Sequence, residues 1–306
     1  MASSQTAKLA IRPRGKPIPK LPEDVSVSLE GPSSKIYQQL ATRSGFSEHR
    51  LRITKGSDGT LVPNSSDASI YSSGLREQSI IYVKDLGPQI AWRTVFVLEY
   101  LGPILIHPLV YFLRPYIYNT NEQPSAQQTL SLILIVLHFV KREYETVFVH
   151  RFSLATMPAR NIFKNCFHYW VFAGGNLAYW IYAPTAPTAR EFNPIIVVAA
   201  VALYLYGEVS NFITHQTLRG LRSAGGKERG IPQGYGFNWV TCPNYFFETL
   251  AWLGVWLSTW SLSTAVFLVV AVGQMMPWAK KKEYKLRKDF GDKYKKKRYA
   301  ILPGIY

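Results

Sequence analysis

A carboxylate, Glu99, sits in the apolar run TVFVLEYLGPILIH with no basic residue near it in sequence. Ionisable groups at membrane depth are costly and mark a function or a polar cavity. His138 and Arg142 stand four residues apart and share a helix face. Beside them Lys141 and Glu145 read as an ordinary i,i+4 surface pair. Asn211, His215, Arg219 and Arg222 recur at i, i+4, i+8 and i+11. That stripe puts an amide, an imidazole and two cations on one face, a set suited to a phosphate-rich ligand; a snorkelling helix end gives the same pattern. Pro243 opens another helix on which Asn244 and Glu248 share a face, with Tyr245 beside them. Six glycines between 220 and 236 mark a loop able to approach a ligand closely. It is neither a dinucleotide fingerprint nor a Walker loop: no strand precedes it, Gly234 and Gly236 lack a third glycine two residues on, and Gly-Lys-Ser/Thr does not occur.

The elements that must position these groups follow from how charge is distributed over the 306 residues. Residues 1–88 hold 12 Lys+Arg, 8 Asp+Glu and no Trp; residues 89–278 hold all eight Trp, 12 Lys+Arg, eight Glu and no Asp; residues 279–306 hold 11 Lys+Arg against three acids. A soluble head, a membrane-embedded body and a basic tail fit this partition. Apolar stretches recur at 94–113, 129–140, 166–183, 194–213 and 244–278. The last has 35 residues, too long for one crossing of a core about 30 Å thick. A hinge near Ser261–Ser263 makes it two helices, so six spans are expected. The loops agree: 141–164 and 217–230 are basic, whereas 114–128 and 184–193 carry one charge of each sign. By the positive-inside rule, head, tail and both basic loops face the cytosol.

Several classes drop out. Two cysteines, Cys166 and Cys242, build no disulfide framework. The segment MASSQTAKLAIRPRGK lacks an apolar h-region, so a cleaved signal is not expected. The basic run after an apolar segment suits anionic lipid better than nucleic acid. The histidines do not cluster in sequence and the body lacks Asp, so no metal is expected. Trp252, Trp256 and Trp260, spaced by four, read as packing.

The head reads strand, strand, helix, strand, loop, strand. LAIRPR and VSVSL alternate; a helix follows with Ile36, Leu40 and Ala41 on one face, closed by Gly45. LRIT and the run Ile80 to Val83 complete it. This order resembles the ubiquitin-like β-grasp, read as a docking or stability module. The expected fold is thus an α-helical multi-pass membrane protein with a small N-terminal α+β domain.

VLEYLGP at 97–103, LHFVKREYETVFVHRFS at 137–153, CPNYFFETLAWLG at 242–254 and the segment YAILPGIY resemble, in order along the chain, the very-long-chain trans-2-enoyl-CoA reductases. These are a branch of the steroid 5α-reductase superfamily that carries an N-terminal ubiquitin-like domain. The resemblance implies an NADPH-dependent reductase of the endoplasmic reticulum membrane. It would reduce a trans-2-enoyl-CoA to the saturated acyl-CoA in the last step of each fatty-acid elongation cycle, alongside other elongation enzymes. It implies catalytic roles for Tyr245 and Glu99 and a conserved basic pair at Lys141 and Arg142, next to His138 on the substrate side. It implies a nicotinamide-cofactor face at Asn211, Arg222, Asn244 and Glu248, which the stripe extends to His215 and Arg219. Tyr284 matches a tail tyrosine, but Lys280, Lys281 and Lys282 stand where steroid reductases have histidines. A neutral phenol at Tyr245 is the expected proton donor, and Glu99 is expected to orient it or to anchor the cofactor amide. Steroid or polyprenol enone reduction, an isoprenylcysteine-type methyltransferase and a non-enzymatic scaffold are the alternatives.

Overall fold

The computed structural model describes residues 6–152, 154–223, 230–295 and 299–306. They fall into two compact units, Met1–Ala91 with Leu154–Asn161, and Trp92–Ser153 with Ile162–Tyr306.

Period-two alternation builds the sheet of the first unit. Strand β1 (Thr6–Pro13) buries Ala7, Leu9 and Ile11, and β2 (Asp24–Ser28) buries Val25 and Val27. Helix α1 (Ser34–Ser44), strand β3 (Leu51–Lys55) and strand β4 (Ile80–Asp85) follow. The strand order is β2-β1-β4-β3, with β1 and β4 parallel and the other pairings antiparallel. Helix α1 contributes Ile36, Tyr37, Leu40 and Ala41 to the same core as the buried strand residues. It stops at Gly45, whose left-handed φ of 72° strains any side chain. Arg50 donates two hydrogen bonds to Asp85 at 2.6 and 2.7 Å, and this pairing holds the Asp85 carboxyl below its ordinary value. Strand β5 (Gln89–Ala91) pairs with β6 (Thr156–Pro158). That ladder carries 89–91 and 154–161 into the first unit, beyond the boundary at residue 88 drawn from composition.

The second unit is helical. It comprises α2 (Trp92–Phe112), the short α3 (Arg114–Ile117), α4 (Ala126–Tyr144) with a π-helical turn at Glu145–Val149, a stretch that runs from α5 (Asn161–Cys166) through π turns to α6 (Leu177–Ile181), α7 (Pro194–Gly220), α8 (Pro243–Thr259) and α9 (Leu262–Phe290). Ser125 and Gln128 close a reciprocal capping box at the start of α4. The long apolar run breaks at Trp260, which takes φ 46° between α8 and α9. Helix α9 continues without interruption past residue 278, so the first part of the basic tail is the end of this helix.

Among the described residues three helices are long and apolar enough to cross a membrane: Trp92–Phe112, Pro194–Gly220 and the helix starting at Leu262. Their outer faces carry exposed Leu109, Phe112, Val198, Val209, Leu262 and Val269, as a helix in lipid requires. The remaining three expected spans differ for physical reasons. Helix α8 has only 17 residues, α4 ends in a charged turn, and the 161–181 stretch is interrupted by π turns.

Helices α7 and α8 pack at backbone distance because glycines face the partner. A Cβ on Gly207 would lie 2.5 Å from the Ala251 nitrogen, and one on Gly254 would lie 2.7 Å from the Ala200 oxygen. This close crossing brings the polar faces of the two helices together.

Candidate active site

Three helices each contribute one polar stripe. On α4 and its π turn, His138, Lys141, Arg142 and Glu145 share a face; on α7 it is Glu208, Asn211 and His215; on α8, Asn244 and Glu248. Glu145 is fully buried, and His138, Glu208, Asn211, His215 and Asn244 are all buried as well. The surface pair expected at Lys141 and Glu145 is therefore an interior one: Glu145 is buried, 3.5 Å from the Lys141 ammonium.

The contacts form one connected network. His138 Nδ1 lies 2.5 Å from Glu208 Oε1, and its Nε2 lies 3.3 Å from Glu248 Oε1. Lys141 donates to Asn211 Oδ1 at 2.6 Å and pairs with Glu208 Oε2 at 2.9 Å. Asn211 Nδ2 donates to the Asn244 carbonyl at 2.8 Å and to Glu248 Oε2 at 3.1 Å. Arg142 donates to Glu145 at 2.7 Å and to the Tyr100 hydroxyl at 3.0 Å. His215 Nδ1 meets Glu145 Oε1 at 2.9 Å. With His138 protonated, three cations (His138, Lys141, Arg142) face three carboxylates (Glu145, Glu208, Glu248). Buried charges are tolerated only when paired in this way.

Burial alone would raise the Glu145 carboxyl, but the His215 hydrogen bond and the Arg142 and Lys141 charges outweigh it and hold Glu145 well below its ordinary value. Burial, with the Arg142 and His215 charges, drives His150 down to about 3, so it is a neutral imidazole. Contrary to the scatter of histidines in the sequence, His150 and His215 meet in space, with ring centroids 4.8 Å apart. Their ligand atoms and those of Glu145 lie within 4.8 Å of one another. Arg142 and Lys141 already engage Glu145, and their charges oppose a divalent cation there, so the trio belongs to the ionic network.

Tyr245 sits at the network's edge, packed near Cys242, Met275 and Ala279 and within electrostatic reach of Arg142, Tyr100 and Glu248. Its hydroxyl has no hydrogen-bond partner among the described residues. Glu99 is buried on α2, bonded to Asn165, with Arg142 in electrostatic range. Asn244 Oδ1 and Glu99 Oε2 are among the buried polar atoms that have no hydrogen-bond partner among the described residues.

The structure divides the expected site residues. His138, Lys141, Arg142, Asn211, His215, Asn244 and Glu248 converge, and the residues expected on the substrate side touch those expected on the cofactor side. Arg219 and Arg222 leave the stripe at the end of α7, which closes at Gly220 before Arg222. Arg222 donates to the Arg151 carbonyl at 2.6 Å, and the Arg219 carbonyl accepts from Arg151 at 3.3 Å. Tyr284 is 68% exposed and lines a separate open cleft of about 710 Å³ with Arg287, Lys288 and Tyr294. In the glycine-rich loop Gly225 and Gly226 lie outside the described residues, and the close approach at Gly236 is to Pro243, 2.6 Å from where its Cβ would stand. Glu208, Tyr100 and His150 were not singled out from the sequence. Glu208 carried the same signal as Glu99, a carboxylate inside an apolar run.

Residues 155–306 match the family model described as 3-oxo-5-alpha-steroid 4-dehydrogenase. A Schizosaccharomyces pombe protein provisionally named an enoyl reductase is 43% identical over 96% of this chain and 98% of its own length. The very-long-chain enoyl-CoA reductase of Dictyostelium discoideum is 40% identical over 89% of this chain and 91% of its own. The mouse trans-2,3-enoyl-CoA reductase-like protein is 32% identical over 74% of this chain and 64% of its own. With an interior network of this kind and relatives aligned along nearly its whole length, the chain belongs to the enoyl-CoA reductase branch of the steroid 5α-reductase superfamily.

Proposed function

We propose that the protein reduces very-long-chain trans-2-enoyl-CoA thioesters to saturated acyl-CoA with NADPH, in the last step of the fatty-acid elongation cycle. The observation that carries this reading is an unpartnered Tyr245 phenol beside a charge-balanced buried network with two orphaned acceptors. An acceptor left unpaired in the interior costs about 1–3 kcal/mol, so Asn244 Oδ1 and Glu99 Oε2 call for donors from a ligand. A nicotinamide carboxamide offers such donors, and Asn244 and Glu248 on α8 with Asn211 on α7 would hold it. The cofactor supplies the hydride that reaches the β-carbon.

The chain's own groups do the rest. Lys141 locks the Asn211 amide by holding its oxygen, which leaves Nδ2 directed at Glu248. Arg142, fixed by Glu145 and Tyr100, supplies positive potential where charge builds on the thioester oxygen. The Tyr245 phenol stays protonated at neutral pH and delivers the proton to the α-carbon. The acyl chain lies along the apolar helices, where each buried methylene adds about 0.8 kcal/mol. Cations of the basic loops and tail serve the phosphates of NADPH and CoA.

The wider reading is a six-span protein of the endoplasmic reticulum membrane, with both termini cytosolic and residues 1–88 forming a ubiquitin-like domain. The basic loops and the mixed sheet with α1 support it. The test is the purified protein in detergent with NADPH and a trans-2-enoyl-CoA of about eighteen carbons, the length a hydrophobic core rewards. NADPH absorbance should fall and saturated acyl-CoA appear. Turnover of a steroid enone in place of the thioester would move the substrate to the other superfamily branch.

A further inference from the structure

We propose that Glu208 is a positioning residue for the cofactor: acting through His138, it sets the carboxylate of Glu248 that bonds Asn211. This inference rests on the NADPH reading above and assigns a role to a residue which that mechanism leaves unused.

Glu208 lies on α7 one turn before Asn211, and its side chain is buried. Its two oxygens reach two different cations, His138 Nδ1 at 2.5 Å and Lys141 Nζ at 2.9 Å. The other face of the His138 ring meets Glu248 Oε1. An imidazole with a carboxylate oxygen at each nitrogen must donate from both, so His138 is an imidazolium bridging two anions. The second Glu248 oxygen accepts from Asn211, whose own oxygen is held by Lys141, the other partner of Glu208. Glu208 therefore stands at the root of two chains that end on the same pair, Asn211 and Glu248. One runs through His138 and the other through Lys141.

Removing its charge leaves the network with one cation in excess and frees both His138 and Lys141 to turn toward Glu248 and Glu145. Glu248 then loses its fixed orientation without any loss of packing volume. The effect should fall on the nicotinamide side and spare the thioester side.

The experiment compares full-length wild type, Glu208→Gln, Glu248→Gln and the double variant in detergent. Kd for NADPH comes from fluorescence titration, and KM for enoyl-CoA and kcat from turnover. Losing a charge-assisted hydrogen bond weakens an interaction about tenfold or more. Glu208→Gln should thus raise the NADPH Kd at least ~10-fold while the enoyl-CoA KM stays within about twofold. The double variant should bind NADPH no more weakly than Glu248→Gln alone, because both act on one carboxylate. An unchanged NADPH Kd in Glu208→Gln, a rise confined to the enoyl-CoA KM, or independent losses that multiply in the double variant overturns the proposal. If Glu208→Gln does not yield folded protein, Glu208→Asp carries the same test: its shorter arm should raise the NADPH Kd severalfold, and an unchanged Kd counts against the proposal. A wild type that binds no NADPH removes the functional reading and this one with it, whereas a wild type that turns over normally beside an unaffected Glu208→Gln removes this one alone.

Discussion

Two groups of buried polar side chains among the described residues of the helical unit use their hydrogen bonds in opposite ways. In one, neutral or singly charged groups donate to backbone carbonyls at helix ends. Arg114 donates to the Tyr182 carbonyl at 2.8 Å and to the Glu122 carbonyl at 3.1 Å, and Gln128 donates to the carbonyls of Ile181 and Ala183. Gln127 reaches the Ser258 carbonyl, and the His107 ring is held between the Tyr182 hydroxyl and the Ala173 carbonyl. These groups replace the water that helix termini would otherwise need. In the other region, around His138 and Glu248, side chains bond to other side chains, charges match, and acceptors are left over. Buried polarity by itself thus does not mark a site. What marks it is a charge-paired network of side chains that still holds unsatisfied acceptors.

The comparison can be broken from either side. The largest effect should come from Tyr245→Phe, which deletes the unpartnered hydroxyl without altering the packing. Removing a positioned proton donor costs about 10²–10⁴ in kcat, with the melting temperature unchanged; turnover close to wild type would take the proton-donor role from Tyr245. Next, Arg142→Leu leaves Glu145 buried without its guanidinium partner. Unpairing a buried charge costs about 3–5 kcal/mol, so chemical unfolding should show a loss of that order together with lost activity. At the neutral region, Gln128→Ala orphans two carbonyls and should cost about 1–3 kcal/mol of stability. The folded fraction of that variant should keep its kcat/KM, and a specific activity loss would erase the distinction between the two regions.

An effect that vanishes at neutral pH concerns His150. Its folded value, about 3, lies below the ordinary 6.5, so the unfolded chain binds a proton that the folded chain does not. Stability should therefore decline as pH falls from 6.5 toward 3 and be fully retained above that window. His150→Gln should flatten this part of a melting-temperature profile. An unchanged slope would assign the acid sensitivity to other groups.

Much of this was legible in the residues themselves. Alternation in the first unit foretold the strands, helical spacing of Ile36, Leu40 and Ala41 foretold α1, and the length of the 244–278 run foretold the break now seen at Trp260. Helical spacing on the separate segments placed His138 with Arg142, Asn211 with His215, and Asn244 with Glu248. What spacing could not supply was the partner across the interface. His138 and Glu208 are 70 residues apart, and so are Glu145 and the His215 that meets it from α7. For the same reason Arg219, Arg222 and Tyr284 looked equivalent to residues inside the network, although Arg222 meets the Arg151 carbonyl instead and Tyr284 is exposed. Close packing at Gly207 and Gly254, which draws α7 against α8, is likewise a property of two segments together.

The central claim, reduction of an enoyl thioester at the charged region, is tested most directly by isotope tracing. Wild-type protein would turn over a long-chain trans-2-enoyl-CoA with NADPH deuterated at the transferable position, and in a second run with ordinary NADPH in heavy water. Reduction by this route leaves one cofactor-derived deuterium at the β-carbon and one solvent-derived deuterium at the α-carbon of the saturated acyl-CoA. Cofactor label at the α-carbon, or no label in the product from either source, would contradict it.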